Sequence, residues 1–301
     1  MNRPWDNPYE QPPGFSLITS LRYDHQLLRC PANDDLSGPS RSPSPFYMLQ
    51  YHIDRLWEAA ANFGWDSLCN RLAEPGMAAN MTELLQLQIC QFHQNAMRAA
   101  SDAERELIPL KVRVRFDQTG LMTADYSIMS GVTKEHLFPH PRRASPVLRP
   151  VGEDKHTPLD SSDHLLSPWA RARVQPWRVY LDPARTWPSP FTRFKTTERE
   201  MYSEARARLG IEKSDPAEVI LINPWGELME GSLMSVYFWR GGRWVTPPIA
   251  SGGQMGTTRR WMVEHELCDE EIVRITSVVV GEECYLSNGV RGLIPGIICD
   301  A

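Results

Sequence analysis

The first long run of regularly spaced apolar residues lies in "FYMLQYHIDRLWEAAANFGW", which begins at residue 46. Its apolar positions recur at steps of four and three, and they are Leu49, Ile53, Leu56, Ala60 and Phe63. This spacing places them on one face of an amphipathic helix. Gly64 follows the last of them, at a position where glycine commonly ends a helix. The pattern therefore predicts a helix that buries this face and ends near residue 63.

The next segments predict a second helix and then two strands. "TELLQLQICQFHQNAMRAA" has helical spacing, with Thr82 as its predicted N-cap. "LKVRVRFD" and "LMTADYSIM" flank the turn sequence "QTG", and the first of them alternates between apolar and basic residues. Lys111, Arg113 and Arg115 therefore share one face of a strand. If that face lines a cleft, it can bind anions. If it faces solvent, the charges have no particular role. The residues alone do not decide between these two interpretations.

Composition changes between about residues 134 and 178, where "HLFPHPRRASPVLRPVGEDKHTPLDSSDHLLSPW" is rich in proline and has no periodicity. Such a segment is typical of a domain boundary. The sequence predicts a small N-terminal α+β domain over residues 1–135, an interdomain insertion over 136–176 and a larger domain over 177–301. Helix and strand patterns are mixed on both sides of the insertion, so the fold class is α/β with two domains. The insertion can be a lid, a dimer contact or a spacer.

Charge and composition restrict the class of partner. The 301 residues carry a formal net charge of −5, and no apolar run approaches the roughly 20 residues of a membrane span. These features argue against nucleic acid and membrane as partners. The six cysteines form no CxxC pair and have no metal-binding spacing with histidine, as expected for thiols in a reducing cytoplasm. We therefore expect a cytoplasmic protein without a structural metal.

Four features suggest a common chemistry. Lys195 lies in "TRFKTTEREMY", just before a predicted helix, and Glu230 ends a strand and turn in "WGELME". Gly256, Thr257 and Thr258 open another predicted helix, and Arg55 lies on the first long helix. A helix N-terminus and an arginine both bind phosphate. A lysine can hold an aldehyde as a Schiff base, and a carboxylate can keep a pyridine nitrogen protonated.

An aldehyde, a pyridine ring and a phosphate together describe pyridoxal 5′-phosphate. Taken singly, each feature has an ordinary structural reading. A lysine is usually on the surface, and a Gly-Thr-Thr sequence before a helix is usually a cap. Glu230 can be a turn residue, and Arg55 can pair with a neighbour on its own helix. The spacing of these residues alone does not decide between the two readings.

Three blocks, "FKTTEREMY", "GELMEGSLMSVYFWRGGRWVTPP" and "GGQMGTTRRW", resemble the signature blocks of the class IV, fold-type IV pyridoxal phosphate enzymes. "FYMLQYHIDRL" resembles the helix of that family that carries a phosphate-binding arginine. The resemblance runs from about residue 15 to the end, apart from the proline-rich insertion. "FKTTERE" and "SNGVRG" are similar to the fungal-type aminodeoxychorismate lyases within the family.

The resemblance implies a role for each matching residue. Lys195 would bind the cofactor covalently and transfer protons, and Glu230 would pair with the pyridine nitrogen. Arg55 and Thr258, with the backbone of the Gly256–Thr257 turn, would hold the phosphate. Ser235 would lie along the ring, where the family often has asparagine. A larger barrel-like C-terminal domain, a cofactor in the cleft between the domains and a homodimer are also implied.

The resemblance implies an enzyme that acts on a small-molecule amino substrate. The first hypothesis is an aminodeoxychorismate lyase, which converts 4-amino-4-deoxychorismate to 4-aminobenzoate and pyruvate, a folate precursor step. The family's transaminases commonly have a tyrosine soon after the lysine, whereas here Arg199 follows four places on and Tyr202 seven places on. The alternatives are a class IV transaminase of R-amines, D-amino acids or branched-chain amino acids, and a non-catalytic relative.

The lyase substrate is a dicarboxylate and needs cationic residues near the site. The candidates are Arg199, Arg113, Arg115 and Arg291, each of which can equally be a solvated or structural arginine. Thr19 or Ser20 in the first predicted strand could supply a hydroxyl near the cofactor. Core packing and strand pairing explain these two residues equally well.

Overall fold

The computed structural model describes residues 14–34, 43–96, 101, 108–129, 136–138 and 175–300. Most of the proline-rich insertion therefore lies outside the described residues. Contacts between residues divide the chain into two compact units. Unit 1 holds the described residues before position 135 together with Phe194–Glu198, and unit 2 holds the others. The short segment around Lys195 thus packs with the N-terminal part of the chain, although it lies far along the sequence.

Unit 1 contains a three-stranded antiparallel sheet in the order β1-β2-β3, with helices packed on it. Its strands are β1 (Leu17–Tyr23), β2 (Leu110–Phe116) and β3 (Met122–Ile128). Its helices are α1 (Pro31–Asp34), α2 (Leu49–Asn62), α3 (Asp66–Leu72) and α4 (Met77–Ala96), and a 3₁₀ helix occupies His25–Arg29. Helix α2 packs against β1. This packing brings its buried face onto the sheet.

The apolar patterns of α2 and β2 are confirmed. The predicted face of α2 is buried, and Gly64 has a φ of 69° just after the helix. Only glycine adopts that left-handed conformation at little cost, so the helix ends there. In β2 the apolar residues are buried and the basic residues between them are only partly buried.

Helix α4 begins at Met77, five residues before the Thr82 cap predicted from the sequence, so that prediction was wrong. Gly76 immediately precedes the helix with a φ of 84°. Met77 and Met81 are both buried, and they extend the apolar face of the helix by one turn toward its N-terminus. Burial of the two methionines therefore sets the start of α4, and Thr82 lies inside it.

Unit 2 is built on a curled eight-stranded sheet in the order β6-β5-β4-β11-β10-β7-β8-β9. Strand β4 pairs in parallel with both β5 and β11, and β10 is antiparallel to both β11 and β7. The strands are β4 (Trp177–Arg185), β5 (Ala217–Ile222), β6 (Leu228–Gly231), β7 (Ser235–Arg240), β8 (Arg243–Thr246), β9 (Asp269–Glu270), β10 (Glu283–Asn288) and β11 (Gly292–Ile298).

Two apolar clusters stabilise this sheet. The larger one is formed by inward side chains of β4, β5, β7, β10 and β11, with Val179, Phe238 and Leu286 fully or almost fully buried. The smaller one joins β5 to helix α6, where Tyr202 and Ala205 are buried. The helices of unit 2 are α5 (Pro190–Arg193), α6 (Glu200–Arg208) and α7 (Thr257–Glu264), with 3₁₀ helices at Ile249–Ser251 and Ile275–Ser277.

The predicted fold class, mixed α/β with a barrel-like sheet in the C-terminal part, is confirmed by this architecture and by the solved structures compared below. Among the described residues, no helix combines the length and the apolar character needed to cross a membrane. Each of the six cysteines is a free thiol.

Candidate active site

Lys195 is fixed to strand β1 in unit 1 through its main chain. The backbone N–H of Ile18 donates to the Lys195 carbonyl at 2.9 Å, and the N–H of Thr197 donates to the Ser16 carbonyl at 2.9 Å. Leu17 and Thr196 form an antiparallel bridge between these two bonds. The Lys195 segment therefore pairs with β1 as a short extended strand, and its side chain is half-buried.

A row of hydrogen-bonded polar side chains connects β1 to helix α2 in the same unit. The Arg55 guanidinium donates to Thr19 Oγ1 at 2.7 Å. Thr19 Oγ1 lies 2.6 Å from His52 Nδ1, and the Arg55 nitrogen is 3.5 Å from that same ring nitrogen. Thr19 and His52 are buried. Arg55, a predicted phosphate ligand, is thus held by two buried polar residues.

The pKa of His52 lies well below its ordinary value. The main cause is burial, followed by the positive charges of Arg55 and Lys195, while a backbone hydrogen bond with Tyr47 opposes the shift. The imidazole is therefore neutral. Because the Lys195 charge acts on the same ring as the Arg55 charge, unit 1 brings these two predicted site residues into one polar cluster.

Arg113 and Arg115, the loosely predicted substrate residues of unit 1, lie on the partly buried face of β2. Arg115 pairs with Asp125 on β3 at 3.3 Å, and both side chains are well exposed. Arg113 stands opposite Ser20 on β1 and Asp125 on β3 in the sheet register. The ion pair of Arg115 on an exposed sheet surface fits the solvated reading of this face.

Glu230 lies in unit 2 at the end of β6 and is buried. Its carboxylate accepts a short hydrogen bond from the Tyr202 hydroxyl on helix α6. The side-chain amide of Gln254 donates to the same hydroxyl at 3.3 Å. Burial, and then the Glu230 charge, raises the pKa of Tyr202 well above its ordinary value, so the phenol stays protonated. Tyr202 is therefore a fixed donor that orients the Glu230 carboxylate.

The glycine-rich loop before helix α7 lies against both Glu230 and Ser235. A side chain at Gly253 would bring its Cβ within 2.7 Å of the Met229 carbonyl and 3.1 Å of Glu230 Cβ. A Cβ at Gly256 would lie 2.7 Å from Ser235 Oγ. Main-chain atoms require glycine at position 253, whereas at position 256 a Cβ would force the Ser235 hydroxyl to move. The loop is thereby held close to the end of β6 and the start of β7.

The start of helix α7 has the features of an anion site. Gly256 is its N-cap and has no side chain to accept from the first amides, and no acidic residue lies in the first turn. Thr257 and Thr258 are buried, and Thr257 Oγ1 has no hydrogen-bond partner among the described residues. The unpartnered Thr257 hydroxyl and the amides without a side-chain cap together favour a bound anion at this helix start.

Arg199 and Arg291, the remaining substrate candidates, both belong to unit 2. The Arg199 guanidinium donates to the Ser232 carbonyl and lies 4.4 Å from the centre of the Tyr202 ring. Arg291, in the β10–β11 turn, lies 5.4 Å from the centre of the Trp177 ring, and burial lowers the pKa of its guanidinium. No carboxylate of the described residues pairs with Arg291. It is thus a partly desolvated cation without a fixed counter-charge.

A second buried carboxylate fixes the loop between Glu230 and Ser235. Glu218 on β5 is fully buried and accepts from the Leu233 amide at 3.0 Å and from the Ser232 hydroxyl. Arg206 on α6 approaches this carboxylate at 3.8 Å and donates to Ser232 Oγ at 3.1 Å. Glu218 and Arg206 therefore both hold the loop through the Ser232 hydroxyl.

We expect the stability contribution of Glu218 to depend on pH in a defined direction. Burial raises the pKa of this carboxyl above the ordinary value of 4.5 despite its hydrogen bonds. The folded chain thus binds a proton more tightly there than the unfolded chain does, so ionisation costs stability as pH rises. The wild type should gain unfolding free energy relative to Glu218→Gln as pH falls from neutral toward 4.5. Urea unfolding of both proteins over that range measures the difference, and a constant difference would contradict the assignment.

Three site residues escaped the sequence analysis. Tyr202 was noted only for its distance from Lys195 along the chain, and Gln254 only as part of the block "GGQMGTTRRW". His52 lies three residues before Arg55 and therefore on the same helix face, which was the one available signal. The sequence did not reveal their hydrogen-bond partners, because each partner is distant along the chain.

Comparison with known proteins relates part of this chain to a known family. Residues 161–297, a little under half of the chain, match the model of the amino-transferase class IV family. The aminodeoxychorismate lyase of Saccharomyces cerevisiae is 34% identical over 138 residues. That match covers 40% of this chain and 37% of the yeast enzyme, so the chain matches well under half the length of this relative.

Solved structures show the same fold. A candidate 4-amino-4-deoxychorismate lyase of Legionella pneumophila aligns with a TM-score of 0.57 at 11% identity, covering 95% of this chain and 83% of that one. A hypothetical aminotransferase of Mycobacterium tuberculosis in its PLP-bound form aligns with a TM-score of 0.51 at 14% identity, covering 94% and 81%. The family resemblance drawn from the sequence blocks is confirmed.

Proposed function

Because residues 161–297 match the class IV amino-transferase family, we propose that this chain is a pyridoxal 5′-phosphate-dependent aminodeoxychorismate lyase. It would convert 4-amino-4-deoxychorismate to 4-aminobenzoate and pyruvate. One observation of the structure carries the cofactor assignment. The buried Glu230 carboxylate is oriented by a tyrosine that cannot ionise, beside a helix start that has the features of a phosphate site.

The residues of both units fit this cofactor chemically. Glu230 supplies a fixed negative charge of the kind that keeps a pyridine nitrogen protonated. Thr257 Oγ1 and the amides at the start of α7 are the donors that a phosphate requires. In unit 1, Arg55 supplies a guanidinium held by hydrogen bonding, and Lys195 supplies the amine. Ser235 and Thr258 complete the proposed cofactor residues, with Gly256 allowing close backbone approach.

When bound, the cofactor supplies an aldehyde that exchanges amines and a ring that withdraws electrons. Lys195 is proposed to remove the proton at C4 of the substrate and to pass it on to the released fragment. Glu230 is proposed to face the pyridine nitrogen, while the Tyr202 hydroxyl holds its carboxylate as an acceptor. Loss of the C4 proton and departure of the enolpyruvyl oxygen together make the ring aromatic. The released fragment takes up a proton and leaves as pyruvate, so no keto-acid is consumed.

Positive charge for the two substrate carboxylates is proposed to come from Arg291 and Arg199. Arg291 has no carboxylate partner among the described residues and is partly desolvated, which strengthens its attraction for an anion. Arg199 is restrained by the Tyr202 ring and the Ser232 carbonyl. Arg113 and Arg115 are weaker candidates, since Arg115 already pairs with Asp125.

Direct assay of the purified full chain with pyridoxal 5′-phosphate tests the proposal. With 4-amino-4-deoxychorismate as the sole substrate, we expect equal amounts of 4-aminobenzoate and pyruvate over many turnovers. A parallel assay for transamination uses D-alanine or an R-amine as substrate, with and without a keto-acid. Turnover only in the presence of the keto-acid would instead identify a transaminase. A chain that stays colourless after reconstitution and has neither activity would refute the enzyme assignment.

A homodimer, as the family resemblance implies, and a cytoplasmic location complete the proposal. The free state of all six cysteines is compatible with a reducing compartment. Sedimentation of the purified chain distinguishes a dimer from a monomer.

A further inference from the structure

We propose that Thr19 and His52 are positioning residues that hold the Arg55 guanidinium in place for the cofactor phosphate. The inference rests on the proposed function, in which Arg55 binds that phosphate. It adds a role for two residues that the sequence motifs leave unassigned. The contacts that carry it all lie inside unit 1.

The direction of the hydrogen bonds follows from the chemistry of the three groups. A guanidinium can only donate, so Thr19 Oγ1 accepts from Arg55 at 2.7 Å. His52 Nδ1 lies 3.5 Å from the Arg55 nitrogen, which can only donate, so we assign Nδ1 as the unprotonated nitrogen of the ring. The hydroxyl proton of Thr19 then points to Nδ1 at 2.6 Å. The low pKa of His52 keeps the ring neutral. The hydrogen bonds therefore run from Arg55 to Thr19 and from Thr19 to His52. A Thr19 hydroxyl rotated away from His52 would lose its acceptor.

Strand β1 links these hydrogen-bonded side chains to Lys195. Thr19 follows Ile18, whose amide binds the Lys195 carbonyl. The Lys195 main chain is therefore bound at Ile18, and the Thr19 hydroxyl belongs to the next residue of the same strand. His52 and Arg55 are one helical turn apart on α2, which packs against the same strand. Strand β1 thus anchors both the Lys195 main chain, through Ile18, and the Arg55 guanidinium, through Thr19.

An ordinary core hydrogen bond would stabilise the unit but would have no preference between ligands. A positioning role predicts a selective effect, because only a ligand with a phosphate uses Arg55. Pyridoxal has the same ring and aldehyde as pyridoxal 5′-phosphate and lacks the phosphate. The ratio of the two dissociation constants therefore separates positioning of Arg55 from general loss of structure.

The test uses the full chain freed of cofactor, in wild type, Thr19→Val and Thr19→Ser forms. Valine has the shape of threonine without the hydroxyl, and serine keeps the hydroxyl. We expect Thr19→Val to weaken pyridoxal 5′-phosphate binding by roughly tenfold, as for the loss of one hydrogen bond to a charged group, with pyridoxal binding unchanged. Thr19→Ser should stay close to wild type for both ligands. His52→Leu, which removes the acceptor of Thr19, should act in the same direction as Thr19→Val.

Two results would overturn the positioning role alone. One is that Thr19→Val and His52→Leu leave both dissociation constants unchanged. The other is that they weaken binding of both ligands equally, which is the effect of a structural role. A wild-type chain that binds neither ligand would overturn the proposed function and the positioning role together. Measuring wild type first therefore tells the two failures apart.

Discussion

Replacing Lys195 by alanine is expected to lower the rate of 4-aminobenzoate formation by at least about 10³-fold, because positioned proton transfer alone contributes about 10²–10⁴-fold. The variant also loses the amine that would bind the cofactor covalently. Borohydride treatment followed by intact mass measurement should fix the cofactor on the wild type and leave Lys195→Ala unmodified. Cofactor that remains on the variant should come off on dialysis.

Lys213→Ala is the matched control, since Lys213 is an exposed lysine in a turn of unit 2. It should retain wild-type turnover and the covalent mass increment. A Lys195→Ala protein that keeps full activity, or a borohydride-fixed cofactor found on another lysine, would show that the amine is misassigned. Both measurements report on the residue itself and do not depend on which substrate the enzyme prefers.

The sequence was sufficient to predict helix α2 and strand β2, because each has one buried face and a regular spacing. Gly64 and its left-handed backbone conformation also follow from the residue type. Starts of helices were harder to predict. Lys195 was placed just before a predicted helix, but helix α6 begins only at Glu200, because Thr196 and Thr197 are held extended against β1. The spacing of apolar residues within one segment does not show that the segment pairs with a distant strand.

The site was predicted in part for the same reason. Lys195, Glu230 and Arg55 were proposed from sequence blocks, and the structure gives each a specific local setting. Their partners were not identified, because periodicity shows that a side chain points inward without showing what it contacts. Tyr202 is 28 residues from Glu230, and His52 is 33 residues from Thr19. Hydrogen bonds across such separations depend on tertiary packing.

The buried Glu230 carboxylate leads to the second large expected effect. Glu230→Gln keeps the shape of the side chain and an oxygen that can accept from Tyr202, while it removes the negative charge. Without that charge a pyridine nitrogen is no longer kept protonated, and we expect turnover to fall by about 10²–10⁴-fold, the range for a lost proton-holding group. Covalent attachment of the cofactor at Lys195 should persist, because the amine is unchanged.

Tyr202→Phe is the paired variant, because it removes the hydrogen-bond donor and keeps the carboxylate. Its loss of turnover should be about tenfold, near the value of one hydrogen bond to a charged group. Initial rates and borohydride-fixed mass are measured for both variants. Wild-type turnover in Glu230→Gln, or a larger loss in Tyr202→Phe than in Glu230→Gln, would mean that the hydroxyl is the chemically important group and the carboxylate its support.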